Sequence, residues 1–157
     1  MKGKLYIITG DIQSGKTTRL IDWSLGRQNV AGIATPVVMS RRMFFDLSNQ
    51  NLWSMESKGL EPNPLIVGKY QFSQTSFDRA ISVVEEGIRS NAAYVVIDEI
   101  GPLELKGQGF ADVLKKTLAT NDRNFHLVLV IRERILSEVV DHFKLTNYTL
   151  WDMQTNS

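Results

Sequence analysis

The stretch Leu5-Tyr6-Ile7-Ile8-Thr9-Gly10-Asp11-Ile12-Gln13-Ser14-Gly15-Lys16-Thr17-Thr18 decides the fold. Leu5 to Ile8 is a continuous apolar run bounded by Gly10, as expected of a buried parallel strand, and Lys16 to Leu25 reads as a helix ending near Gly26. Between them, Gly10 to Thr17 satisfies G-x-x-x-x-G-K-[ST] in the strand, loop and helix context that this phosphate-binding pattern requires. Gly10 and Gly15 allow the backbone to curl until successive N–H groups converge on phosphate oxygens, and the positive end of the helix dipole adds to that field. The candidate phosphate contacts are therefore Gly10, Asp11, Ile12, Gln13, Ser14, Gly15, Lys16, Thr17 and Thr18. Lys16 is expected to reach the β- and γ-phosphates, and the Thr17 hydroxyl to be a Mg²⁺ ligand. Asp11 would repel a phosphate if it pointed inward, so it is expected to face solvent.

A second motif lies far along the chain. Tyr94-Val95-Val96-Ile97 is another buried run, and it stops abruptly at Asp98-Glu99. That is the Walker B position: an Asp there holds Mg²⁺, and a following Glu can polarise the water that attacks a γ-phosphate. Around these two strands the pattern alternates. Ser76 to Ser90 carries Phe77, Ala80, Ile81, Val84 and Ile88 at helical spacing, as do Phe110, Val113, Leu114 and Leu118. Leu127 to Ile131 repeats the buried strand, Ile135 to Phe143 marks a further helix, and Leu145 to Trp151 is compatible with a last strand. Alternating strands and helices imply a three-layer α/β fold on a mostly parallel sheet. Residues 30–72 differ: Val30 to Val38, Met43 to Leu47 and Leu52 to Met55 are short β-prone pieces between polar turns, which reads as a hairpin-rich insertion after the first helix.

Composition narrows the function classes. The 157 residues suit a single domain, 1–157, with a full core, and no repeat or long linker divides them. The chain has no Cys, which removes disulfide scaffolds, thiolate nucleophiles and Cys-ligated zinc, and fits a reducing, cytoplasmic compartment. Lys+Arg 18 against Asp+Glu 17 leaves a formal charge of +1, so no global attraction to nucleic acid or anionic membrane is expected. No apolar run approaches the roughly 20 residues of a membrane span.

The segment Val96-Ile97-Asp98-Glu99-Ile100-Gly101-Pro102-Leu103-Glu104-Leu105, with Phe110 shortly after, resembles the D-E-I-G-x-M-E-L segment of the small single-domain P-loop nucleoside-triphosphatases, the family of the thermophilic enzymes and the human cancer-related nucleoside-triphosphatase. Leu103 replaces the Met of that pattern. Gly32-Ile33-Ala34-Thr35, Phe45-Asp46, Val67-Gly68-Lys69-Tyr70 and Phe77 extend the resemblance over most of residues 4–110. It implies an ASCE (RecA-like) P-loop fold and Mg²⁺-dependent hydrolysis of several nucleoside triphosphates with little base selectivity. By the same resemblance Lys16 and Thr17 contact phosphate and Mg²⁺, Asp98 is the metal-side carboxylate, and Glu99 activates water. Glu104 also matches, with a structural role expected, pairing with Lys106 or fixing the loop. The C-terminal third resembles the family weakly, and Asn147-Tyr148 stands where an Asn-Arg pair is usual.

Arg132 and Arg134 follow the buried run Leu127 to Ile131, which makes one of them, Arg132 first, a candidate to stabilise charge on the γ-phosphate. Arg41-Arg42 reads as surface charge in a hairpin turn, with closure over phosphates as the alternative. Trp23, Trp53, Trp151, Phe44 and Phe45 read as core rather than as base-stacking residues, and His126 and His142 lack a metal-spaced partner. The leading expectation is a Mg²⁺-dependent phosphohydrolase acting on ATP, GTP, CTP and UTP. A P-loop kinase with an acceptor site in residues 30–72, and a nucleotide-gated regulatory module, share the same phosphate loop.

Overall fold

A computed structural model describes residues 2–10 and 15–151. The chain runs β1 (Leu5–Gly10), α1 (Lys16–Leu25), β2 (Val30–Ala34), β3 (Val37–Val38), β4 (Arg41–Asp46), β5 (Leu52–Ser54), β6 (Leu65–Val67), β7 (Tyr70–Phe72) and α2 (Gln74–Arg89). It continues through β8 (Tyr94–Asp98), α3 (Pro102–Leu105), α4 (Ala111–Ala119), β9 (His126–Arg132), α5 (Leu136–Phe143) and β10 (Tyr148–Leu150). The main sheet has the order β10-β1-β9-β8-β2-β4-β3, with β5 on β4, and every neighbouring pair from β10 to β2 is parallel.

Strict alternation builds the two cores. Leu5 and Ile7 of β1, Val95 and Ile97 of β8, and Leu127, Leu129 and Ile131 of β9 face one side, where they meet Phe77, Ala80 and Val84 of α2, Leu114 of α4 and Val139 of α5. The intervening Ile8, Val96, Val128 and Val130 face the other side, under Leu20 of α1. Both faces are covered, so the central positions of these strands are apolar, which is why they read as runs rather than as alternating patterns. The helix α2 is fixed at its start by the Ser73 hydroxyl, which accepts the Ser76 N–H at 3.1 Å.

For residues 30–34 the hairpin reading is corrected by the structure. Val30–Ala34 is a fully buried strand parallel to β8, in register Val30 to Tyr94 and Ile33 to Ile97, and it belongs to the parallel sheet. On its other edge β2 pairs antiparallel with β4, and from β3 onward the chain forms antiparallel hairpins, β3–β4, β4–β5 and the separate β6–β7. The β3–β4 turn exposes Val37 and Met39, and its two central residues, Met39 and Ser40, take the positive φ of a tight two-residue hairpin loop.

Candidate active site

Register brings the two sequence motifs to one edge. Gly10 ends β1 opposite Arg132, which ends β9, and Val130 pairs in turn with Asp98 at the end of β8. The carboxyl ends of three neighbouring parallel strands thus deliver Gly10, Arg132 and Asp98 to the same rim, where ligands of such sheets bind. Gly15 caps α1 at φ 81, a left-handed conformation that favours glycine. Asp11, Ile12, Gln13 and Ser14 lie outside the described residues. Lys16 starts α1 and its Nζ donates to the Gly10 carbonyl at 3.2 Å. The Thr17 hydroxyl donates to Asp98 Oδ2 at 2.9 Å, and the Thr35 N–H, just beyond β2, donates to the same oxygen at 3.0 Å.

Asp98 is 2% exposed. Burial, and after it the neighbouring Glu99 carboxylate, push its pKa up to about 6, while the Thr35 N–H and the Thr17 hydroxyl pull it down. A buried carboxylate oxygen and a hydroxyl held 2.9 Å apart at the rim of a cleft form a hard oxygen pair. That donor set fits Mg²⁺, which keeps most of its shell as water and phosphate oxygens.

Glu99 stands at φ 137, a backbone conformation that L residues rarely adopt, so the chain is strained immediately beyond β8. The strained residue is gripped on both sides. Arg132 Nη2 lies 2.6 Å from Glu99 Oε1, and Arg42 Nη1 lies 3.5 Å from Oε2. The Arg42 guanidinium also sits 5.0 Å over the Tyr70 ring. The cleft these groups surround has a volume of about 360 Å³ and is walled by Gly15, Lys16, Thr17, Thr18, Thr35 and the Arg42, Asp98, Glu99 and Arg132 group.

Glu104 explains how the strained turn is held. It is 2% exposed; Oε1 accepts the Gly101 N–H at 2.8 Å and Oε2 accepts the Phe110 N–H at 3.0 Å. It therefore closes the loop that begins directly after Glu99, as expected, whereas the pairing with Lys106 is replaced by a Lys106 bond to the Ile66 carbonyl at 3.0 Å. Burial raises Glu104 to about 7, against the pull of the two N–H donors. Gly109, at φ 62, passes so close that a Cβ would strike Glu104 Oε2.

Of the two arginines, Arg132 at the end of β9 lines the cleft, while Arg134 is exposed and does not line it. Arg42 is the residue that the surface-charge reading missed. It lies in strand β4 rather than in the turn, and adjacent strand residues point to opposite faces, so one member of Arg41-Arg42 had to turn inward. Thr35 was legible only as part of the resemblance. Phe44 is core, and Trp53 is half-buried, donating to the Ser76 carbonyl at 3.2 Å. Trp23 and Trp151 pack edge to face at 4.8 Å, in a nest with Tyr6 and Tyr94 away from the cleft. His126 belongs to that nest: Nδ1 accepts the Lys4 N–H at 3.0 Å, and burial, then Lys4, lower its pKa. Among the described residues no group of three or more His, Cys, Asp and Glu side chains is arranged to hold a metal, and no helix is long and apolar enough to cross a membrane.

The chain is similar in sequence and in fold to known nucleoside-triphosphatases. The nucleoside-triphosphatase THEP1 of Archaeoglobus fulgidus is 29% identical over 79 residues, and that of Methanopyrus kandleri 30% over 74 residues. These alignments cover 50% and 47% of this chain but only 46% and 39% of the relatives, so the chain spans less than half the length of each over which it matches. The crystal structure of THEP1 from Aquifex aeolicus superposes with a TM-score of 0.75 at 25% identity, covering 95% of this chain and 89% of that one. The solution structure of a human cancer-related nucleoside triphosphatase gives 0.66 at 25% identity, covering 96% and 88%. A family model described as NTPase matches residues 5–156. With nearly the whole length of the chain matched, the protein belongs to this NTPase family.

Proposed function

We propose that the protein is a Mg²⁺-dependent nucleoside-triphosphate phosphohydrolase that uses water as the phosphoryl acceptor and tolerates several bases. The observation that carries this reading is Glu99, a strained carboxylate set beside the Thr17–Asp98 pair and flanked by two arginines. Lys16 draws the β- and γ-phosphates onto the start of α1. Thr17 Oγ1 and Asp98 would hold Mg²⁺, which supplies neutralisation of phosphate charge when bound. Glu99 accepts a proton from water as the water oxygen bonds to the γ-phosphorus and the bond to the bridging oxygen breaks, releasing nucleoside diphosphate and phosphate. Arg132 and Arg42 pair with Glu99 and line the same cleft, from which they would stabilise the charge on the γ-phosphate. Base tolerance rests on the family resemblance.

The test is phosphate release from ATP, GTP, CTP and UTP with and without Mg²⁺, beside Lys16→Ala and Glu99→Gln, with nucleotide binding measured on each. Release from several triphosphates is expected, with weakened binding in Lys16→Ala. Glu99→Gln should bind normally and lose on the order of 10² to 10⁴ in rate, the usual worth of a positioned general base. Binding without release in the unaltered protein overturns the hydrolase reading.

A further inference from the structure

The edge of the sheet opposite the phosphate loop carries a second concentration of charge. Where β1 and β10 begin, an open cleft of about 570 Å³ is lined by Lys2, Lys4, Lys115, Arg123 and Lys144 and by no acidic side chain. These cations come from four places in the chain: the entry to β1, the helix α4, the loop before β9 and the end of α5. Asp122 and Asp141, although close in sequence to Arg123 and Lys144, do not line the cleft, and no ion pair among the described residues uses any of the five cations. Setting the five aside leaves 13 of the 18 Lys and Arg against 17 Asp and Glu, so the rest of the chain is net negative and the excess positive charge is gathered here.

Five cations converging without a counter-charge repel one another, and an anion in the cleft removes that cost. Arg123 is set in advance. Its Nη1 donates to the Thr117 carbonyl at 3.3 Å and to the Thr120 carbonyl at 2.9 Å, which fastens it to the end of α4, while its buried Nε has no partner. A guanidinium already held in place loses little freedom when an anion arrives. The floor beneath the cations is firm, made of buried Leu5, Phe143 and Leu145. The volume falls within the range of roughly 300–1,000 Å³ typical of small-molecule sites. A nucleic-acid groove adds aromatic platforms for successive bases, whereas here the Phe143 ring is buried and His142 is the one exposed ring. We propose that this cleft binds a small anion through a chain of two or more phosphate groups, at the edge of the sheet remote from the phosphate loop. The site stands whether or not the hydrolase reading holds.

The experiment titrates inorganic triphosphate without Mg²⁺ into the full chain at low salt, follows backbone amide shifts by NMR, and repeats the titration with ATP. Two sets of shifts should saturate independently, one at Gly15 and Thr17 and the other at Gly3, Ala119 and Thr146. The second set should persist in Lys16→Ala. It should weaken about tenfold or more when Lys4→Glu and Lys144→Glu are combined, both at exposed positions, while Mg²⁺-dependent phosphate release stays unchanged. Lys2→Gln with Lys115→Gln, which neutralises rather than reverses charge, should weaken it in the same direction. Saturation of the second set by triphosphate alone supports the site with an inorganic ligand, and saturation by ATP as well supports it with a nucleotide or other phosphate ester. Absence of the second set, its loss in Lys16→Ala, its full strength in both double variants, or equal saturation by sulfate at the same ionic strength overturns the site. Tighter binding of a single-stranded oligoribonucleotide through the same amides overturns the small-ligand assignment.

Discussion

The parallel edge and the hairpin extension contribute to the same cleft by different rules. Along the parallel edge, Gly10, Asp98 and Arg132 are strand-terminal residues, placed by register alone once both faces of β1, β8 and β9 are buried. In the extension, Arg42 reaches Glu99 from the middle of an antiparallel hairpin, through a contact 0.9 Å longer than that of Arg132 and braced on Tyr70. On the proposed mechanism, the edge would supply the reacting groups from positions set by register, and the extension would add a second arginine held by a longer contact. The two bridges are about equally exposed, so the difference between them lies in length and in the brace on Tyr70.

The largest expected effect tests the parallel edge. Arg132→Ala should lower turnover by about 10³, the lower end of what a well-placed arginine contributes to phosphoryl transfer, with nucleotide affinity nearly kept. Turnover within a few-fold of the unaltered protein would remove Arg132 from the reaction and dissolve the contrast with Arg42. Gly109→Ala comes next. A methyl there strikes Glu104 Oε2 and opens the loop that follows Glu99, which should destabilise the fold by roughly 2 kcal/mol, the scale of a disrupted buried hydrogen-bond pair. Denaturant unfolding measures it, and an unchanged midpoint would show that the loop does not depend on Glu104.

The hairpin extension is tested by a paired comparison. Arg42→Ala should slow phosphate release about tenfold, equivalent to roughly 1.4 kcal/mol of barrier, while exposed Arg41→Ala leaves it unchanged. Equal effects of the two substitutions would mean that strand alternation does not select Arg42. This pair also marks the limit of what the sequence discloses. The helix Lys16–Leu25 and the strand end at Asp98 were legible because their patterns are local: a fixed spacing of Gly, Lys and Thr, and an apolar run cut by two acids. Val30–Ala34 was misplaced because five short or β-branched residues look alike in a hairpin and in a parallel strand, and only pairing with β8 separates the two. The helix Pro102–Leu105 is too short to show a period, so Glu104 had a family pattern and a nearby candidate partner, Lys106, that the structure gives to the Ile66 carbonyl instead. Its two N–H donors, Gly101 and Phe110, come from a loop closure that no spacing rule encodes.

The last test is a slope with pH. Glu104 is raised from an ordinary 4.5 to about 7, burial outweighing its two N–H donors, so the folded protein retains this proton where the unfolded chain has released it. Stability from Glu104 is therefore fully present below about pH 4.5 and is lost as pH rises through 7, by no more than about 1.4 kcal/mol per pH unit for one proton. Asp98, raised to about 6, slopes in the same direction, so the measurement is the stability difference between the unaltered protein and Glu104→Gln, in which Asp98 cancels. That difference should shrink between pH 4.5 and 7 and level off above. A constant difference would mean that the two N–H donors outweigh burial, and that the turn beyond Glu99 is fastened by a charged carboxylate rather than a neutral one.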